Sequence, residues 1–116
     1  MRKRFSNSAV VEFLDQPKVL ADLRQAAEAA KAAHPEIRRV LLFGSLVEGN
    51  WTAASDADLI VVVSREFADL FERSRYQIQC RSIPTDTLVY SEREYERLAE
   101  DPGSFLARAL KVSIEL

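Results

Sequence analysis

The chain has 116 residues, of which 47% are hydrophobic and 29% charged, and its formal net charge is −2 at pH 7. This length and composition predict one globular domain over residues 1–116, with residues 1–8 frayed at the start. A slightly acidic chain has no general attraction for phosphate polymers, so direct binding to nucleic acid is not expected. With one cysteine and one histidine, the sequence excludes a disulfide framework, a structural zinc site and a histidine-based triad.

No part of the sequence is typical of a membrane segment. The longest apolar run is residues 59–63, far below the ~20 residues that a membrane helix requires. The basic start is followed by a stretch that is too short and too charged for a signal peptide. These features and the lone cysteine predict a cytoplasmic protein.

The first predicted element is a helix. Asp15 and Pro17 are typical of a helix start, and His34-Pro35 ends the pattern because the residue before a proline is pushed out of helical geometry. Its apolar face has residues at three- and four-residue spacing, namely Val19, Leu20, Leu23, Ala26, Ala27 and Ala30. This pattern predicts an amphipathic helix that packs on a core.

The centre of the chain predicts two buried strands. The first is the aliphatic run Ile37–Phe43, which ends at Gly44, and the second is residues 56–63. Between them, residues 45–55 are predicted as a short helical turn followed by a loop. Residues 65–73 are predicted as a third helical element, with an inner face formed by Phe67, Leu70 and Phe71.

The last third of the chain predicts an extended segment and two helices. Residues 76–90 are predicted as extended, with Pro84 as an interruption that favours an edge strand. Ser91 and Glu94 have the spacing of a capping box, and Phe105 begins a final helical pattern. Helices that alternate with strands around a β-α-β centre predict an α/β (α+β) fold, a short mixed sheet with helices packed on one face.

Two acidic residues open the second strand. Asp56 and Asp58 lie two residues apart, so their side chains leave the same face. They repel each other unless a cation lies between them, and Mg²⁺ prefers such oxygen ligands and shares its shell with phosphates. Asp86 is the third candidate, because an acid on a core-facing strand is costly unless it is paired or ligated. A chance Asp-x-Asp triplet and a solvated strand end at Asp86 are the plain structural alternatives.

The Gly44-Ser45 turn is the other half of the candidate site. Gly44 allows the backbone to approach a ligand closely, and a helical turn from Ser45 would point amides and a hydroxyl at an anion. An ordinary turn after a strand is the alternative interpretation. Together with three carboxylates, the turn could support an in-line displacement in which metal ions activate the attacking oxygen and stabilise the leaving pyrophosphate.

The combined pattern is Gly44-Ser45, ten residues, Asp56-x-Asp58 and the later Asp86. It resembles the nucleotidyltransferase superfamily that includes DNA polymerase beta, and its small size resembles the minimal nucleotidyltransferase (MNT) branch. The resemblance implies the polymerase beta-like fold and a transfer of AMP from ATP to a hydroxyl acceptor. It assigns the three aspartates to two Mg²⁺ ions and Ser45 to the β- and γ-phosphates. It also implies a helical HEPN-type partner protein, for which some MNT chains act as tyrosine-modifying antitoxins.

One departure from the family pattern concerns charge near the phosphates. Many members carry an arginine two or three residues after Gly-Ser, whereas this chain has Glu48 in that region. Compensation would require the fold to bring in Arg38, Arg39 or Arg65. Two alternatives therefore stay open, a non-catalytic antitoxin or complex subunit that binds a helical partner, and a self-associating structural domain. The acceptor, the base preference, homo-oligomer formation and the role of Trp51, which either stacks on a base or caps the core, also stay open.

Overall fold

A computed structural model describes residues 16–49, residue 52 and residues 55–116. Three predicted features lie outside these residues, namely the frayed start over residues 1–8, the helix cap at Asp15 and the role of Trp51. No helix in the described ranges has the length and apolar character needed to cross a membrane.

The described elements form a mixed α/β structure. In chain order they are α1 (Gln16–Ala33), β1 (Ile37–Phe43), α2 (Ser45–Glu48), β2 (Ala57–Val63), α3 (Leu70–Arg73), a 3₁₀ turn (Ser74–Tyr76), β3 (Thr85–Ser91), α4 (Glu92–Ala99), α5 (Phe105–Leu110) and β4 (Ser113–Glu115). The strands of the described part form one sheet in the order β3-β2-β1-β4. β1 is antiparallel to β2 and to β4, whereas β2 and β3 are parallel. The predicted fold class is therefore confirmed.

Helices cover both faces of the sheet, so the prediction of helices on one face is wrong. α1 packs on the face that carries Val40, Leu42, Leu59 and Val61. α4 and α5 pack on the opposite face, which carries Leu41, Ile60 and Val62. The physical reason is visible in β2, because an unbroken apolar strand with every residue from 59 to 63 buried needs cover on both sides.

The segment before β3 differs most from the sequence prediction. α3 is a single turn, and the side chain of Asp69 caps it by accepting a backbone N–H. Phe67 packs on the core as predicted, but Leu70 is 80% exposed and Phe71 84% exposed, so the predicted inner face is wrong for these two. One helical turn is too short for periodicity to assign a face.

β3 is an edge strand, as the proline before it predicts, but it covers only the last part of the predicted extended segment. The predicted capping box is confirmed, since Ser91 Oγ accepts from the Glu94 amide at 3.1 Å and Glu94 accepts from the Ser91 amide at 2.9 Å. Arg73 donates two hydrogen bonds to Glu94, at 2.8 and 2.7 Å, and a third to Val89 O at 2.8 Å. Its guanidinium also lies 4.6 Å from the centre of the Phe67 ring. These contacts fix α3 to β3 and α4.

This ion pair gives the fold a testable pH dependence. Hydrogen bonds from Arg73 lower the pKa of Glu94 from 4.5 to about 2. A carboxyl whose pKa is lowered by folding adds stability that is present above the unfolded value and is lost as the pH falls through the folded value. Glu94→Gln keeps a capping-box acceptor but removes the charge, so we expect it to lower the free energy of unfolding by about 2 kcal/mol at pH 7.

The measurement is urea unfolding of the wild type and Glu94→Gln at a series of pH values. The difference between the two proteins is expected to shrink between pH 4.5 and pH 2, where the wild-type carboxyl takes up its proton. A difference that stays constant over this range would contradict the assignment of the stability to the charged pair.

Candidate active site

The turn after β1 can only be made by glycine. Gly44 has φ 86° and ψ −152°, a backbone region that residues with a side chain avoid. A Cβ at this position would lie 2.5 Å from Oδ2 of Asp58, well inside contact distance. The bare backbone of Gly44 therefore lies directly against the carboxylate of Asp58. We call this close approach the glycine cradle.

The strand register brings two of the predicted acids side by side. Asp58 of β2 is paired with Asp86 of β3 in the parallel ladder, and adjacent strands lie about 4.8 Å apart. Residues two positions apart on a strand share a face, so Asp58 lies on the face of Ile60 and Asp86 on the face of Leu88. This is the face that α4 and α5 cover. Residues that are far apart in the sequence thus become nearest neighbours across two strands.

Asp56 lies just outside the sheet. β2 begins at Ala57, one residue later than predicted, and Asp56 is an exposed residue of the preceding segment. Asp86 is also exposed, whereas Asp58 is partly buried between them. The structure therefore places one partly buried carboxylate next to two solvent-accessible ones at the same end of the sheet.

The electrostatics of the acids are repulsive. Burial raises the pKa of Asp58, and the charges of Asp86 and Asp56 raise this pKa further. In the described part of the chain, no cation or hydrogen-bond donor is paired with these three carboxylates. Acids that are grouped without partners cost stability, so the arrangement is suited to a positively charged ligand.

The donor set fits a divalent metal ion in its chemistry. All three groups are carboxylates, the hard oxygen ligands that Mg²⁺ binds together with phosphate oxygens. Among the described residues, however, no three His, Cys, Asp or Glu side chains are placed so that they could hold one metal ion together, and this includes the three aspartates. A metal ion held by Asp58 and Asp86 would therefore take the remaining ligands of its coordination shell from substrate and water.

Ser45 lies next to the glycine cradle but is not part of an extended anion site. It opens α2, which has four residues, and its hydroxyl has no partner among the described residues. Two amides of this turn, those of Val47 and Glu48, already donate to Gly44 O at 3.1 and 3.0 Å. The predicted contribution of free amides is thus reduced, and the hydroxyl is the group of this turn best able to contact a phosphate.

None of the three candidate arginines replaces the missing family arginine. Arg39 is paired with Glu115 and Tyr95, and its register partner is Val62, four residues along β2 from Asp58. Arg65 follows the opposite end of β2 and pairs with Glu72. Arg38 is exposed near the start of β1, whereas Gly44 follows the end of that strand. Glu48 is exposed at the end of α2, which leaves it open to solvent.

An aromatic pair beside the acids was not expected from the sequence. Phe43 is the register partner of Asp58 on the antiparallel side, so the ladder places the two residues directly across from each other. The ring of Phe105, the first residue of α5, meets that of Phe43 edge to face, with centroids 5.6 Å apart. The antiparallel register that brings Phe43 to Asp58 is not encoded in any local pattern.

Comparisons with known proteins show what the chain as a whole is similar to. A family model described as a nucleotidyltransferase domain matches residues 23–114. A crystal structure of a proposed nucleotidyltransferase from Sulfolobus solfataricus is similar in fold, with a TM-score of 0.60, 22% identity, and coverage of 91% of this chain and 84% of that chain. A search of curated proteins finds no significant match.

Proposed function

The chain belongs to the nucleotidyltransferase domain family, and we propose that it transfers AMP from ATP to a hydroxyl acceptor with Mg²⁺. The observation that carries this proposal is the partly buried Asp58, held against the Gly44 backbone on one side and paired in register with Asp86 on the other. A carboxylate pair beside a residue without a side chain has the charge to hold cations, and Gly44 lets the backbone come close to the group that those cations bind.

In the proposed reaction the acceptor oxygen attacks the α-phosphorus of the nucleotide. A bond forms between that oxygen and phosphorus, the bond from phosphorus to the bridging oxygen breaks, and pyrophosphate leaves with the electron pair. The acceptor proton passes to the exposed carboxylate of Asp86, directly or through a water. The hydroxyl of Ser45 donates a hydrogen bond to a phosphate oxygen beside the glycine cradle.

Asp56, Asp58 and Asp86 are the residues proposed to hold Mg²⁺. When bound, the metal supplies positive charge that offsets the charge of the triphosphate and of the leaving pyrophosphate. The chain's own contribution is to fix the carboxylates. The ladder orients Asp58 and Asp86, and the partial burial of Asp58 limits its hydration.

The acceptor is proposed to be a helical protein of the HEPN type, so that the chain acts as the antitoxin of a HEPN/MNT pair. Support for a protein partner comes from Leu70 and Phe71, which are 80% and 84% exposed on a segment fixed by Arg73. Strand addition at the outer edge of β3 is hindered, because side chains of Gln77 and Arg73 already donate to the carbonyls of residues 87 and 89. A helix that covers the apolar pair fits this surface better than a strand.

A second candidate function is a non-catalytic antitoxin or complex subunit. The observation in its favour is that Arg38, Arg39 and Arg65 all lie away from the acids, while Glu48 is exposed near Ser45. In that case the fold would neutralise its partner by contact alone.

One experiment separates the two functions. The chain is incubated with α-labelled ATP, Mg²⁺ and the protein encoded by the neighbouring gene, and label on that protein is measured. Transfer that is lost in Asp58→Ala supports the enzyme, whereas tight binding without label supports the contact function. In the same series, Mg²⁺ with ATP is expected to raise the melting temperature of the wild type more than that of Asp56→Asn. Equal shifts would contradict metal binding by Asp56.

Glu48→Arg is expected to strengthen nucleotide binding. The change removes a negative charge near Ser45 and adds a positive one at the position where many family members carry arginine. Because residue 48 is exposed, the gain is modest, and we expect the KM for ATP to fall about threefold to fivefold at low salt. Glu100→Arg, at the end of α4, makes the same change in net charge elsewhere on the surface. An equal effect of both variants would show that net charge, and not position, is responsible.

A further inference from the structure

Phe105 is an exposed aromatic residue on the face of the sheet that carries the acids. The large apolar side chains exposed in the described part are Leu70, Phe71, Phe105 and Val112. Phe105 is 48% exposed, and its ring rests on Phe43 with an interplanar angle of 76°. Phe43 packs on the same core cluster as Ile60, the residue that follows Asp58 on its face of β2. The aromatic pair and the acids therefore share one face.

The register gives the order of these groups across the sheet. Asp86, Asp58, Phe43 and Ser113 are consecutive partners, one from each of β3, β2, β1 and β4. Neighbouring members of this row lie about 5 Å apart. The backbone of Phe43 is thus directly across from that of Asp58, and the Phe105 ring has its centroid 5.6 Å from that of the Phe43 ring.

We propose that Phe105, backed by Phe43, is the surface on which the nucleobase of the nucleoside triphosphate stacks. This inference rests on the proposed function, because it takes the phosphates to lie at the acids and the glycine cradle. The base is then one ribose away from the phosphates, and the half-exposed Phe105 ring, on the face of the sheet that carries the acids, offers a flat apolar surface. Phe43 limits movement of that ring through the edge-to-face contact.

Stacking recognises the face of a base and not the hydrogen-bonding pattern of its edge. The Phe105 surface therefore selects for ring area, and purine nucleotides should bind more tightly than pyrimidine nucleotides. It adds nothing to the binding of a phosphate chain that lacks a base. Inorganic tripolyphosphate thus separates the contribution of the ring from that of the acids.

The test is calorimetric titration of ATP, CTP and tripolyphosphate, each with Mg²⁺, into the wild type and four variants. Phe105→Leu keeps an apolar side chain for packing but removes the ring, Phe105→Trp keeps a ring, and Phe71→Leu is the control for an exposed aromatic on α3. Trp51→Leu tests the other aromatic residue that the sequence offers for stacking. We expect Phe105→Leu to weaken ATP binding about tenfold, to leave tripolyphosphate binding unchanged and to remove the preference for ATP over CTP. The other three variants should behave as the wild type.

Several results would overturn the stacking surface. In one, Phe105→Leu binds ATP as the wild type does; in another, it loses ATP and tripolyphosphate binding equally; in a third, Trp51→Leu causes the specific loss. In each of these cases the wild type still binds ATP, so the proposed function is unaffected. A wild type that binds neither ATP nor tripolyphosphate overturns the proposed function and the stacking surface together.

Discussion

Asp58→Asn is expected to lower the rate of nucleotidyl transfer on the order of a thousandfold and, at the same time, to raise the melting temperature of the protein. Burial, the charge of Asp86 and the charge of Asp56, in that order, raise the pKa of Asp58. An acid whose pKa is higher in the folded state makes folding more favourable as the pH falls through that pKa, so its ionised form costs stability at pH 7. Asparagine has the same shape without the charge and removes this cost.

The rate is measured as pyrophosphate release with ATP, Mg²⁺ and the acceptor, and stability as the thermal midpoint without metal at pH 7. Asp101→Asn is the matched control, because Asp101 lies in the exposed turn before α5 and asparagine can still accept the hydrogen bond from the Gly103 amide. It should change neither quantity. A variant at Asp58 that loses activity and stability together would show that this carboxylate supports the fold, and one that stays active would remove it from the reaction.

The fold was predictable where the local sequence determines structure by itself. The bounds of β1 agree with the prediction because a proline precedes its aliphatic run and a glycine ends it. The capping box of α4 agrees because its two hydrogen bonds join residues three positions apart. β4 has three residues and α3 has one turn, and neither is long enough for a periodic pattern. The face on which each helix packs depends on chain connections that periodicity does not describe.

The part of the candidate site that depends on alternation along one strand was also predictable. Alternation along a strand places Asp86 on the face of Leu88 and Tyr90, and the structure has these residues on one side of β3. Strand order and register decide which residues lie on either side of Asp58, namely Asp86 on β3 and Phe43 on β1. These are set by the packing of the whole core. The catalytic and metal-binding roles of the three aspartates stay predictions, and the variants of Asp56 and Asp58 described above test two of them.

Gly44→Ala is expected to lower the free energy of unfolding by about 3 kcal/mol and to abolish transfer. One part of this cost is backbone strain, because Gly44 lies in a region of φ and ψ that is nearly exclusive to glycine. The other part is the overlap of the new methyl group with Oδ2 of Asp58, 2.5 Å away. Relief of that overlap requires the carboxylate to turn away from its place between Gly44 and Asp86, and the displaced group no longer serves the reaction. Urea unfolding and pyrophosphate release measure the two effects.

Gly49→Ala separates strain from overlap. Gly49 also has a positive φ, 84°, but a Cβ there would meet nothing within 4 Å. It should therefore show only a strain cost, about 1 kcal/mol, with transfer unchanged. The double variant Gly44→Ala/Asp58→Ala removes the atom that the methyl group would meet, so it should be more stable than the sum of the single changes predicts, by about 1 kcal/mol. Strictly additive changes would mean that Gly44 is required for its backbone conformation alone, and the close approach of this turn to the carboxylate would then have no energetic role.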